Sequence, residues 1–445
     1  MSTTMSRTVK DRKTMHFFIA IFLDIVISVF VPATNGLTPV GVRAIGAAVA
    51  TVYLWTFVAT DWTSILSVLL FAVAGVMPFE TLLKTGVTPV LLIITMSAIT
   101  IPLSRTGFIA RVINWFITRK IVKGRPWLFF ALYFAAIYLI GCFLDVAAAC
   151  LIALPVAKEI CHELGYEDDS KFATVMYLGI IWYSMWGYAA TPIAHTVAII
   201  VMQLVETYTG VAMSMLDYMV VGIPGTVILG ILSFLVFRFI VRPDVSKFMN
   251  YDPEKRSKTF SKKLSRGERN AVIIFCLIIF MFLFPDIFRN ILPEAAAFIS
   301  GLTINAPAVA GIAAMYIIRD ENNERLLDFS RVTNQIPWGA ALLVMGMFVV
   351  APCLTADSTG IKTWFANILS PITNNMTTWI LLALVVAIAA NIGIMTPAAS
   401  AASAVVLGSG ASTKYAMKYG AMMIPIGVVV CLFVVYPLAA LVFPI

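Results

Sequence analysis

The sequence predicts an all-α polytopic membrane protein, and three observations carry that prediction. The 445 residues are 60% hydrophobic and 12% charged, with a mean hydropathy of +0.94, whereas a soluble domain carries about 25% charged residues. Apolar runs recur along nearly the whole chain and leave no room for a large soluble domain. Basic residues collect in short segments between those runs. At roughly 20 residues per crossing, about ten or eleven spans or half-spans fit.

The positions of the charges predict the orientation. Segments 7–13, 111–125 and 238–269 are basic, and the last holds ten Lys/Arg against four Asp/Glu. The positive-inside rule places these segments, and the N-terminus with them, in the cytoplasm. We therefore expect a multi-pass protein of the inner (plasma) membrane with an external C-terminus. The net charge of +8 does not indicate nucleic acid, because the basic residues lie in short segments between apolar spans, whereas a nucleic-acid surface needs aromatics interleaved on a folded basic surface.

The elements follow in order. Residues 1–36 are a polar, basic tail and a first helix over 17–31, which contains Asp24, lacks a small-residue cleavage site and is therefore interpreted as a retained helix rather than a signal peptide. Segment 108–118 has apolar residues at helical spacing and fits an interfacial helix or an ordinary connecting helix. Other apolar spans or half-spans are predicted at 42–58, 65–77, 90–102, 127–140, 146–160, 172–205, 219–241, 271–284, 306–318, 338–354 and 421–443.

Residues 141–145 interrupt one of these apolar stretches. Because both flanks of 127–160 look cytoplasmic, a re-entrant helical hairpin with its tip near Asp145 fits better than two full crossings. Such a tip lies near the midplane of the bilayer. An ionised, unpaired carboxylate there is costly, so Asp145 is expected to be protonated, paired or ligating a cation.

Two apolar segments are each broken by a Thr-Pro pair, Thr191-Pro192 and Thr396-Pro397. A proline inside a membrane helix frees backbone groups that lipid cannot satisfy, so the unwound stretch must line protein or a water-filled cavity. Paired breaks in matching halves of a chain indicate a transport site. The halves are predicted as transport repeats at 37–241 and 271–445, separated by a basic cytoplasmic linker at 242–270. Segment 359–369 is similar to 106–116, and an odd number of crossings between copies makes the repeat inverted.

The chain resembles the divalent anion/sodium symporter family, within the ion transporter superfamily, as a divergent member. The resemblance runs from about Leu37 to the C-terminus and rests on the order and spacing of several short segments: 106–111, 148–157, 191–193, 336–339 and 404–410. It implies a secondary transporter with elevator-like alternating access. It implies no cofactor beyond a possible coupling Na⁺. It also implies a homodimer that moves a dicarboxylate, tricarboxylate or sulfate-like anion.

Several positions depart from that family's pattern. The hairpin tip that carries Ser-Asn-Thr in the family falls here on Asp145-Val146-Ala147, and the first unwound loop continues with His195-Thr196 where the family shows Thr-Pro. In the second half, one alignment of this chain with the family's pattern leaves no residues for the second hairpin. The other alignment makes 396–400 the tip of the second hairpin. Both stay open at this point.

These positions define the candidate site. Asp145 and His195 are predicted as an ion-coupling couple, because histidine titrates near neutral pH; the alternative is a helix-capping aspartate and a satisfied core histidine. Gly141 and Asn391 complete the ion-coupling set. Residues that could bind the substrate, or whose hydroxyls could merely satisfy freed carbonyls, are Thr191, Pro192, His195, Thr196, Thr396, Pro397, Ser400 and Ser403.

Other functions fit the sequence less well. An intramembrane serine protease needs Gly-x-Ser-Gly, and 406–410 lacks the first glycine; the aspartyl type needs a pair of carboxylate motifs that the spans do not contain. The chain has no Gly-x-x-x-x-Gly-Lys-Ser/Thr motif for ATP, so transport is expected to be secondary. The six cysteines lack metal spacing and are expected to pack. A sodium/proton antiporter and a non-transporting receptor are the alternatives.

Overall fold

A computed structural model describes most of the chain. The described residues are 2–105, 107–144, 146–193, 195, 197–199, 201–202, 213–260, 264–302, 305–336, 338–361, 363–364, 389, 400–408 and 411–442. Within them all regular secondary structure is helical, apart from one isolated bridge between Arg319 and Arg325. The predicted all-α class is therefore confirmed.

The described α-helices are numbered here in chain order. They are α1 Ser2–Phe30, α2 Pro39–Phe57, α3 Trp62–Val73, α4 Phe79–Arg105, α5 Phe108–Ile117, α6 Pro126–Gly141, α7 Val146–Glu163, α8 Lys171–Ala190, α9 Met215–Leu235, α10 Pro253–Phe260, α11 Arg266–Phe288, α12 Pro293–Gly301, α13 Asn305–Ile317, α14 Phe329–Thr333, α15 Trp338–Thr355, α16 Ala401–Gly408, α17 Thr413–Val430 and α18 Tyr436–Val442. Short π-helical segments, Val236–Val241 and Cys431–Val435, continue α9 and α17.

Five helical segments of the described chain are long and apolar enough to cross a membrane. They are Arg12–Phe30, Pro39–Phe57, Met215–Val241, Arg266–Phe288 and Thr413–Val442, and α12 with α13 would add a sixth as one bent pair. Only 6% of the most apolar window of the first segment is buried, and 28% of that in Arg266–Phe288. Exposed apolar surface on that scale requires lipid or a protein partner. The chain is thus a multi-pass membrane protein, as predicted.

The chain divides into two compact units. The first consists of residues up to 95 together with the described part of 335–378, and the second of the other described residues. In the first unit α2 packs against α1, and α3 and α15 pack against α2 and each other. Thr38 begins α2, where its hydroxyl accepts the Gly41 amide at 3.0 Å and donates to the Ser358 carbonyl at 2.7 Å. The domain boundaries predicted from the repeats stay a prediction.

In the second unit α8 is the central helix. Every residue from Phe172 to Gly187 is buried, because α6, α7, α9 and α16 pack around it. Aromatic contacts fill the space between these helices: Tyr183 stacks on Phe134 with centroids 4.6 Å apart, and Trp182 stacks on Phe237 at 4.6 Å. A helix enclosed in this way is held in place from all sides, and its end can therefore be positioned accurately.

The basic linker is folded rather than extended. Arg256, on α10, has a side chain only 2% exposed, and its guanidinium donates to Asn114 Oδ1 at 2.8 Å, Glu159 Oε2 at 2.9 Å and Glu163 Oε2 at 3.3 Å. The Tyr251 hydroxyl donates to the Ile117 carbonyl at 3.1 Å. One arginine of the linker therefore joins α10 to α5 and α7.

Two predicted boundaries differ from the structure. The first helix begins at Ser2 rather than near residue 17, because the polar tail contains Lys and Arg, which are good helix formers. Likewise α11 begins at Arg266, inside the predicted linker, since Ser265 and Glu268 form a capping box there. Apolarity marks the buried part of a helix, not its polar first turns.

Replacing Arg256 tests whether the linker is held by this cluster. Arg256→Ala removes three charge-assisted hydrogen bonds, while both glutamates keep some access to water, so we expect a loss of about 2–4 kcal/mol of local stability. Proteolytic cleavage within 242–265 should accelerate and the Tm in detergent should fall. Arg269→Ala, at an exposed arginine nearby, is the matched control. Equal cleavage of both variants would contradict the assignment.

Candidate functional site

The predicted break in the first half of the chain is present in the structure. Helix α8 ends at Ala190, Thr191 has extended backbone angles (φ −132°, ψ 150°), and the next described helical residue is 197. Pro192 has no N–H and cannot continue the helical hydrogen bonds. The last carbonyls of α8 therefore need partners from elsewhere.

Helix α9 faces these carbonyls. The Tyr218 hydroxyl donates to the Ala189 carbonyl at 3.1 Å. A Cβ atom at Gly222, one turn further along α9, would lie 2.7 Å from the Ala190 carbonyl oxygen and 3.3 Å from that of Ala189. The absence of a side chain at Gly222 thus lets α9 approach the end of α8 closely.

His195 lies beyond the break and is completely buried. Its Nδ1 atom is 3.4 Å from the Tyr218 hydroxyl, and its ring centroid is 4.5 Å from that of Tyr188. Tyr218 therefore contacts both sides of the break, one through a carbonyl and the other through the imidazole. Because the single proton of the Tyr218 hydroxyl is donated to Ala189, the hydroxyl oxygen can only accept from the Nδ1–H of His195.

Two packed helices, α6 and α7, occupy the segment in which the first hairpin is predicted. Helix α6 ends at Gly141, residues 142–144 turn, and α7 begins at Val146. The Thr191 hydroxyl donates to the Cys142 carbonyl at this turn. Gly141 touches α8, since a Cβ atom there would lie 2.6 Å from the Ser184 carbonyl oxygen. The turn between α6 and α7 is thereby joined to the break in α8.

The second half contributes α16 to the same group of helices. Helix α16 packs against α7 and α8, and its Ser403 is completely buried. The Ser400 hydroxyl oxygen accepts the Ser403 amide at 3.1 Å and lies 2.9 Å from the Ser403 hydroxyl. Ser400 thus caps the start of α16.

Some of the predicted residues that the structure describes lie close together. Thr191, Pro192 and His195 form the break in α8, Gly141 contacts α8 at Ser184, and Ser403 lies on α16, which packs on α8 and is capped by Ser400. Asp145, Thr196, Asn391, Thr396 and Pro397 lie outside the described residues, so the Asp145/His195 couple and the second break stay predictions. Binding roles for all of these residues are likewise predictions.

Sequence reasoning missed Tyr218 and Gly222. The predicted span began at residue 219, and nothing in the local sequence indicates which helix passes the end of α8. The spacing of four between a tyrosine and a glycine places them on one face of a helix, but that pattern is too common to identify a site on its own.

An enclosed, interrupted helix in a polytopic all-helical protein is a feature typical of the membrane-transporter class. Comparison with known sequences agrees: the model of the citrate transporter (CitMHS) family matches residues 47–427, most of the chain. The chain belongs to the citrate transporter family. Its predicted resemblance to the divalent anion/sodium symporters is thereby confirmed.

A curated relative supports this placement. The chain is 25% identical over 349 residues to the sodium-dependent dicarboxylate transporter SdcS of Staphylococcus saprophyticus. The alignment covers 72% of this chain and 64% of that relative. The chain therefore spans less than two thirds of the relative's length.

Glycines at the contact of α6 with α8 offer a test of close packing. A methyl group at Gly187 would lie 2.1 Å from the Tyr138 carbonyl oxygen, and backbone cannot move aside as a flexible side chain can. We expect Gly187→Ala to cost about 1–3 kcal/mol or more and to lower the Tm in detergent. Gly301→Ala is the control, because its methyl group would meet no atom within 4 Å. An unchanged Tm for Gly187→Ala would contradict the packing described.

Tyr218→Phe tests the hydrogen bonds at the break. The variant keeps the ring but leaves the buried Ala189 carbonyl without the tyrosine hydroxyl, at an expected cost of about 1–3 kcal/mol. Thermal unfolding in detergent measures the loss. Tyr436→Phe, at a partly buried tyrosine for which the described residues provide no hydrogen bond, should leave the Tm unchanged. Equal Tm values for the two variants would contradict a role for the Tyr218 hydroxyl.

Proposed function

We propose that this protein is a secondary active transporter of a small organic anion, of the dicarboxylate or tricarboxylate class or sulfate-like. The observation that carries the proposal is the break in α8, which exposes backbone groups inside a packed group of helices rather than to lipid. Interrupted helices of this kind bind substrates and ions in secondary transporters. The family match and the dicarboxylate transporter among its relatives favour a carboxylate.

The substrate site is proposed to lie between the α6–α7 turn, the end of α8 and α16, which packs on α7 and α8. Small hydroxyl groups of Thr191, Ser400 and Ser403 and the polar groups of the break would contact the anion. The N-terminal end of α16 carries a partial positive charge that favours an anion. Thr196, Thr396 and Pro397 would complete the site.

Coupling is proposed to use sodium or protons. Asp145, Gly141, His195 and Asn391 would form the ion-coupling set, in which the buried imidazole of His195 would carry the proton. Transport would follow an elevator-like alternating-access mechanism on two inverted repeats in a homodimer. Helix α6 has 16 residues, about 24 Å at 1.5 Å per residue. This length is short of a hydrocarbon core of about 30 Å, which supports a re-entrant hairpin.

Uptake into proteoliposomes tests the proposal. Labelled citrate, succinate and sulfate are supplied with an inward sodium gradient, a pH gradient, both or neither, and we expect one anion to accumulate only when a gradient is present. Sodium/proton exchange without an anion would instead identify an antiporter, and binding without uptake a receptor. Either result would overturn the proposal.

Thr191→Val tests the site within that assay. It removes the hydroxyl at the break while keeping the shape of the side chain, and we expect kcat/KM to fall by about tenfold or more, the equivalent of roughly 1.4 kcal/mol. Thr174→Val is the matched control, since Thr174 is a buried threonine near the other end of the same helix. Equal effects of the two substitutions would remove Thr191 from the substrate site.

A further inference from the structure

A separate cavity lies at the start of α11. It has a volume of about 350 Å³ and is lined by Arg266, Asn270, Ile273, Ile274, Ile317, Ile318 and Arg319. Helices α11 and α13 pack against each other here, and the cavity opens between the start of one and the end of the other. Its size falls within the range of about 300–1,000 Å³ that is usual for ligand sites.

The polar part of this cavity is positively charged. Arg266 and Arg319 are both exposed, and Arg266 forms no ion pair with the described residues. Arg319 Nη1 donates to the Asn323 carbonyl at 2.6 Å, a neutral partner that leaves its charge uncompensated. Asn270 adds a neutral polar side chain to the lining.

The neighbouring carboxylates already accept hydrogen bonds from groups other than the two cavity arginines. Glu268 accepts both of its ion-pair contacts from Arg111 Nη2, at 3.2 and 3.1 Å. Glu321 Oε2 accepts the Gly267 amide at 3.0 Å, and this hydrogen bond holds the pKa of Glu321 below its ordinary value. Asp320 Oδ1 accepts the amides of Asn322 and Glu324, both at 2.9 Å. None of these carboxylates lines the cavity.

The remaining walls are apolar and continue onto exposed surface. Ile273 is 49% exposed and Ile317 is 74% exposed; Ile273 lies on the candidate span α11, and Ile317 on α13, half of the bent candidate pair. A soluble anion would gain nothing from such walls. An amphiphile with a negatively charged head and hydrocarbon tails would contact the arginines and the isoleucines together.

We propose that this cavity binds the phosphate headgroup of an anionic phospholipid, with the acyl chains lying along Ile273 and Ile317. Its place beside the basic linker fits the membrane surface that the sequence predicts to be cytoplasmic, where anionic lipids attract Lys and Arg. The proposal is independent of the substrate that is transported.

The test measures lipid binding to delipidated protein in detergent, by native mass spectrometry and by the shift in Tm. Dioleoylphosphatidylglycerol should bind and raise the Tm, whereas dioleoylphosphatidylcholine should not. Losing each arginine should weaken binding about fivefold, so the double variant Arg266→Gln/Arg319→Gln should bind about 25-fold less tightly. Arg289→Gln, at the other end of α11, should bind as the unchanged protein does.

Two further measurements separate a loss of lipid binding from unfolding and from simple anion binding. Arg266→Gln alone leaves the Arg319–Asn323 hydrogen bond intact, so its fivefold loss is expected even if the double variant unfolds. Inorganic phosphate and glycerol 3-phosphate carry at least as much negative charge without acyl chains and should cause no shift at equal concentration. An equal shift from either anion, or unchanged lipid affinity in Arg266→Gln, would overturn the proposal.

Discussion

The structure of the second unit depends on satisfying the backbone groups at the end of α8. A helix that is buried on all sides cannot leave its last carbonyls to water, and Pro192 removes the next donor in the chain. The Tyr218 hydroxyl supplies one hydrogen bond from α9, and Thr191 turns its own hydroxyl toward the Cys142 carbonyl. The break is therefore a stable part of the fold rather than a defect, and polar groups are held inside an otherwise apolar bundle.

Close packing around this break follows from small residues. Gly141 and Gly187 bring α6 and α8 into backbone contact, and Gly222 does the same for α8 and α9. Each contact leaves no space for a methyl group, so the three helices form a rigid support for the polar end of α8. The elevator-like mechanism proposed above would need such a support to hold its geometry while the bundle changes position.

The sequence predicted helices well where apolar runs are long. The span predicted at 338–354 is observed as Trp338–Thr355, and 306–318 as Asn305–Ile317, because burial in lipid or protein selects apolar residues directly. The Thr-Pro pair predicted the break in α8 for a different but equally local reason, since proline interrupts helical hydrogen bonds at its own position. Helix α10 and the contact of Tyr218 with Ala189 were not predicted, because they depend on residues far apart in the chain that meet only after folding.

The folded linker has a consequence for any observation of motion in this protein. Arg256 fixes α10 to Glu159 and Glu163 near the end of α7, so the two helices move together. Glu254, two residues away, has a side chain 59% exposed to solvent. A fluorophore attached at that position would report displacements of α7 from outside the bundle, without a label near the polar groups that the break encloses.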